Sequence, residues 1–96
     1  MYIERNKENK IRRHKIMIKY GVEYVLGEEK EMLDAVFDTS KEAYKAGRKL
    51  LEEIKLQGRL KDLAYICMID LHFKDGKLVD TVENKYIVEN KYIYEW

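Results

Sequence analysis

The chain has 96 residues, 39% of them charged and 46% apolar, which is the length of a single domain. A chain this short leaves little room for an enclosed substrate cavity, and large-enzyme architectures are excluded. The longest unbroken apolar run is Leu63 to Ile69 and the N-terminus MYIERNKENK has no apolar core, so neither a membrane span nor a signal peptide is expected and the chain reads as soluble and cytoplasmic. A lone cysteine, Cys67, excludes an internal disulfide and a cysteine-rich zinc module. The net charge of +1 hides an asymmetry: residues 1–20 carry seven Lys/Arg against two Glu, and residues 21–34 one against five. Alternating blocks of this kind describe complementary surfaces of one fold better than a dedicated polyanion binder.

From Lys10 to Lys19 the side chains alternate with a period of two, predicting a strand that Gly21 bulges or turns and that Val22 to Leu26 continues. Gly27 to Lys30 reads as a turn. Glu31 to Phe37 then reads as a third strand with Leu33, Ala35 and Phe37 on one face, or else residues 28–35 form a short helix. Thr39-Ser40-Lys41-Glu42 is a capping box, opening a helix over about residues 40–57 whose stripe is Ala43, Gly47, Leu50, Leu51 and Ile54 and which Gly58 ends. Gly47, inside the stripe, points to a close approach of helix and sheet.

Leu63 to Phe73 predicts a strand, and Lys74-Asp75-Gly76-Lys77 predicts a hairpin with Asp75 and Gly76 as its loop residues. An unbroken register from that turn pairs Phe73 with Leu78, Leu71 with Asp80, Met68 with Glu83 and Cys67 with Asn84. In this reading Cys67 faces the helix, while Ile66 and Met68 fall on the other face. The tail repeats itself, Glu83-Asn84-Lys85-Tyr86-Ile87-Val88 being followed by Glu89-Asn90-Lys91-Tyr92-Ile93-Tyr94, and reads as two strand pieces about a turn at Glu89-Asn90 or as one long edge strand. The expected fold is thus α+β: an antiparallel sheet of about five strands packed on one helix, in an order roughly βββαββ, with an aromatic C-terminal strand or tail.

No catalytic constellation assembles. Cys67 and His72 point to opposite faces of the hairpin, Asp70, His72 and Glu83 are too few for a zinc site, and the five glycines form no phosphate loop. No metal, cofactor or enzymatic activity is therefore expected. Surplus apolar and aromatic surface favours a non-enzymatic protein-binding module, self-associating as a homodimer or capturing another protein, with Tyr86, Tyr92, Tyr94, Trp96, Ile66 and Met68 as contact residues and an unpaired terminal strand offered to a partner. The alternative partner is nucleic acid, contacted by Arg12, Arg13, Lys15 and Lys19 of the first strand.

Basic strands followed by Phe37-Asp38-Thr39-Ser40-Lys41-Glu42-Ala43 and an amphipathic helix make residues 11–55 similar to the three-strand-plus-helix DNA-binding units of phage integrase arm-binding domains and of plant ethylene-response-factor domains. That resemblance implies major-groove reading from a sheet face, where the acidic block Glu23 to Glu31 would repel phosphate. The whole layout, with its Lys77-Leu78-Val79-Asp80 hairpin return, also resembles small accessory proteins of phages and mobile elements, including anti-CRISPR inhibitors; this implies inhibition by protein contact.

Overall fold

Two local signals build the frame. Thr39 has extended backbone and caps the helix: its hydroxyl accepts from the Glu42 amide at 3.2 Å, and the Glu42 carboxylate accepts from the Thr39 amide at 3.2 Å. Asp75 and Gly76 both have positive φ, 52° and 81°, as a tight two-residue hairpin turn requires. The computed structural model describes residues 16–95. Within them run β1 (Ile16–Leu26), β2 (Glu29–Met32), α1 (Ser40–Leu56), a single 3₁₀ turn (Leu60–Asp62), β3 (Leu63–Lys74), β4 (Lys77–Glu89) and β5 (Tyr92–Ile93). The strands form one antiparallel sheet in the order β2-β1-β3-β4-β5, with α1 packed on one face, an α+β architecture.

The helix face of the sheet holds the main core. Val22, Ile66, Met68, Ile87 and Val88 meet Ala43, Leu51 and Ile54 of α1, with Leu63 closing one end. Gly47 is where helix and sheet come closest, because a Cβ there would collide with Ile87 Cδ1. On the other face Cys67, Ile69 and Leu71 form a second, smaller buried cluster, edged by Tyr65, Phe73 and Tyr86.

Four details differ from the sequence expectations. β1 runs through Gly21 without a bulge, Gly21 pairing with Ile69; a Cβ there would lie 3.3 Å from Leu71 Cδ1, so the glycine makes room for Leu71. The segment after the first turn is extended, but its strand stops at Met32, and only Phe37 returns to the sheet, in a bridge to Tyr20. Asp34, a poor strand former, lies at the bend where the chain climbs toward the helix. The tail forms two strand pieces, with Asn90 and Lys91 at positive φ as the turn, one residue later than expected.

The fourth difference matters most. The hairpin register holds for Lys74 with Lys77 and Phe73 with Leu78, then shifts three times, between His72 and Phe73, Met68 and Ile69, and Ile66 and Cys67. Each shift inserts an extra residue into β4: Val79, Asn84 and Ile87 are the ones passed over. Leu71 therefore pairs with Thr81, Met68 with Lys85 and Cys67 with Tyr86. The expected face assignment is also reversed. Ile66 and Met68 lie under the helix, and Cys67 lies on the helix-free face, because α1 packs on the side of β1 that presents Tyr20, Val22 and Tyr24.

The Gly47 contact yields a test. Gly47→Ala gains about 1 kcal/mol of helix propensity but overpacks a core site, a cost of about 1–3 kcal/mol, so urea denaturation should show a net loss of stability. Replacing Ile87 by Val removes the colliding methyl, and the double variant should be more stable than the sum of the two single changes.

Candidate functional site

Strand and helix lengths decide what is covered. β1, β3 and β4 have 11, 12 and 13 residues, about 36–43 Å of extended chain, whereas the 17 residues of α1 span about 26 Å. The helix lies over the end of the sheet that includes Leu63, Ile66 and Met68, and its first turn reaches the level of Tyr20 and Met68. Beyond it the three long strands continue as a ribbon, in rows Tyr20–Asp70–Val82, Ile18–His72–Asp80, Met17–Phe73–Leu78 and Ile16–Lys74–Lys77.

That ribbon carries a concentration of exposed apolar side chains. Ile16, Met17, Ile18, Leu78, Val79 and Val82 are all between 44% and 55% exposed. Partners in a row share a face, so Ile16, Ile18 and Val82 are on the helix side and Met17 and Leu78 on the other. Where α1 begins, a cleft of about 500 Å³ opens beside the ribbon, with Tyr20, Tyr44 and Met68 on its walls and Lys41 and Lys85 among its lining residues.

The residues singled out from sequence do not form one site. Ile66 and Met68 belong to the core, 0% and 3% exposed, Met68 meeting the cleft only at its edge. Tyr86 is half-buried on the helix-free face, edge-on to Tyr65 at 5.4 Å. Tyr92 is exposed and stacks edge-on with Tyr94 at 4.7 Å, near the end of the sheet away from the hairpin tip. The tail is held by its own chain: Ile93 packs on the core, the Tyr94 amide donates to the Ile87 carbonyl at 2.8 Å, and the Tyr44 hydroxyl donates to the Tyr94 carbonyl at 3.4 Å. Of the basic set, Lys19 is ion-paired with Asp38 at 2.6 Å. Arg12, Arg13, Lys15 and Trp96, together with the start of the expected first strand, lie outside the described residues. Sequence reasoning missed the Ile16–Ile18 and Leu78–Val82 cluster, although the mismatch between strand and helix lengths was available as a signal.

The titratable groups near Cys67 are tuned toward neutrality. Burial, followed by the nearby Glu83 and Glu23 carboxylates, pushes the Cys67 thiol from 9.0 up to about 12. Burial and the 2.9 Å hydrogen bond from its hydroxyl to Glu23 raise Tyr65 from 10.0 to about 12, and burial with Glu83 raises Tyr86. A thiol held protonated is a poor nucleophile. His72 faces the other side of the sheet from Cys67. Among the described residues no group of three or more His, Cys, Asp or Glu side chains is placed to hold a metal ion, and no helix is long and apolar enough to cross a membrane. The chain matches no protein-family model, no curated protein and no solved structure.

The raised pKa values set a pH dependence. Cys67 and Tyr65 stay protonated in the folded state where the unfolded chain has released their protons, so their stabilising contribution is complete below about pH 9 and is lost as pH rises toward about 12. Urea midpoints measured across that window should fall, and fall less steeply in Cys67→Ala and Tyr65→Phe. Native Cys67 should also resist alkylation until the protein unfolds.

Proposed function

We propose that this chain is a non-enzymatic protein-binding module that engages its partner through the ribbon end left uncovered by α1. The observation that carries this reading is the concentration of six large, roughly half-exposed apolar side chains at one end of the sheet. Apolar patches of this kind mark protein contact surfaces, whereas scattered exposed apolar residues do not. The contact is made across the faces of the ribbon rather than by strand addition at β4. β5 pairs only with Val88 and Glu89, but the remaining edge of β4 is interrupted by its bulges and carries Asp80 and Glu83, both devices that discourage edge pairing.

A small phage or mobile-element accessory protein, inhibiting a host protein in the cytoplasm by direct contact, is the setting we infer from size and layout. Nucleic acid is the less favoured partner, since Lys19 is neutralised by Asp38 and the ribbon rows contain Asp70 and Asp80.

Ile18→Lys with Val82→Lys tests the reading. Both positions are exposed, so the domain should keep its thermal midpoint to within the small effect usual for surface changes, about 0.5 kcal/mol. Affinity capture from the native host should lose its protein partner with this variant and keep it with Lys19→Ala or after nuclease treatment. Sedimentation of the purified protein identifies the case in which the partner is a second copy. Capture or self-association unchanged by the two lysines, or abolished by nuclease, overturns the reading.

A further inference from the structure

The uncovered ribbon has two edges, and they are built differently. β4 guards its own with bulges and with Asp80 and Glu83. On the outer side of β1, β2 pairs with Glu23 to Leu26, the Leu33 amide donates to the Val22 carbonyl at 2.9 Å, and Tyr20 exchanges two 2.8 Å hydrogen bonds with Phe37. Among the described residues no strand or bridge continues on that side ahead of Tyr20. Tyr20 fixes the backbone phase there. In an antiparallel strand, amide and carbonyl point to the same neighbour at every second residue, and β1 pairs with β3 without a register shift from Ile16 to Val25. Met17 and Lys19 therefore bond to β3, while Ile16 and Ile18 direct their amides and carbonyls outward. The side chains of Ile16 and Ile18 lie on the helix side, 49% and 45% exposed. The Ile16-Met17-Ile18 stretch has no charge, proline or bulge, the features that normally stop a free edge from pairing.

Resting on the protein-binding reading above, we infer that the partner is engaged by strand addition at the β1 edge, and that the added strand is an acidic, extended segment of another protein with aliphatic or aromatic residues at every second position. The backbone selects an extended segment, because only a strand matches the spacing of the outward groups of Ile16 and Ile18. Its alternate side chains lie beside Ile16 and Ile18 and cover them on the helix side, and the Phe37 bridge to Tyr20 stops it at one end. Charge selects the sequence. Residues 10–19 hold five Lys or Arg and no Asp or Glu; Lys19 is ion-paired with Asp38, and the other four precede Ile16 in the chain. The same charge disfavours a second copy. Antiparallel self-pairing with Ile16 opposite Ile18 would set Lys19 against a second copy's Lys15, and like charges directly opposite are destabilising.

Peptides from a displayed random library panned on the whole protein serve as probes, with residue-resolved amide exchange as the readout. In the free protein the Ile16 and Ile18 amides should exchange faster than those of Met17 and Lys19, and a bound peptide should slow them about tenfold or more. Enriched peptides should alternate apolar residues and carry Asp or Glu. N-methylation at alternate peptide nitrogens should weaken binding about tenfold in one phase and leave it unchanged in the other. Ile18→Pro, which removes an outward amide, should bind more weakly than Ile18→Ala, which keeps it. Circular dichroism checks that both are folded, and the N-methyl series decides if the proline variant is not. Ile16 and Ile18 amides already as protected as their neighbours in the free protein, enrichment without carboxylates, or self-association that protects these amides each overturn the inference. Peptides that leave both amides unprotected but lose binding to the Ile18→Lys, Val82→Lys variant overturn strand addition alone, and the ribbon end stands as the contact surface. A library that yields no peptide sensitive to that variant overturns both.

Discussion

One helix of about 26 Å cannot roof a ribbon of about 40 Å, and this mismatch shapes the molecule. Where α1 lies, the sheet acquires a dry core in which Val22, Ile66, Ile87 and Leu51 are fully buried. Each such side chain contributes about 1.5–3 kcal/mol by leaving water. Past the first turn of the helix the strands remain paired, but α1 does not extend over Ile16, Ile18 and Val82, which are about half-exposed. Strand pairing alone provides little of the burial that makes a sheet stable. Among the described residues, a well-packed half under α1 is thus joined to a half that is held in shape by the same three strands and that α1 does not cover.

The bulges of β4 connect this architecture to chemistry. A strand in unbroken register would present alternate residues to the same face from end to end. Three insertions let β4 change phase, so that Ile87 and Val88 both enter the core beside the closely approaching Gly47, while Lys85 enters the cleft. The same insertions interrupt the β4 edge, which discourages strand addition there. On the face away from α1, Cys67, Ile69 and Leu71 form a buried cluster, and burial, reinforced by the carboxylates of Glu23 and Glu83, keeps the thiol of Cys67 and the phenol of Tyr65 protonated.

Much of the fold was legible because its signals are local. Thr39 and Glu42 mark the helix start through hydrogen bonds only three residues apart, and Asp75-Gly76 marks the hairpin through backbone dihedrals of adjacent residues. The close approach at Gly47 was legible because a glycine inside an apolar stripe has few other uses. What was not legible depended on contacts between distant segments. The helix could have packed on either face, since Ile66 and Met68 are as apolar as Cys67 and Ile69, so alternation alone does not choose between them. The bulges at Val79, Asn84 and Ile87 carry no glycine to announce them, and a single missed bulge reverses every face assignment beyond it. The aromatic tail reads as a contact surface by composition, whereas in the fold Ile93 packs on the core and the Tyr94 amide donates to the Ile87 carbonyl. The exposed cluster instead consists of ordinary aliphatic residues in strands, distinguished only by lying where the helix does not reach.

Hydroxyl-radical footprinting of the purified protein, read residue by residue by mass spectrometry, measures directly which strand residues α1 leaves exposed. Met17 and Met68 are chemically identical probes on neighbouring strands, 50% and 3% exposed. Met17, Leu78 and Val82 should be labelled rapidly, and Met68 and Ile66 only on unfolding. Protection of Met17 and Val82 equal to that of Met68 would mean that another layer already covers the ribbon end, and that it is not an open surface.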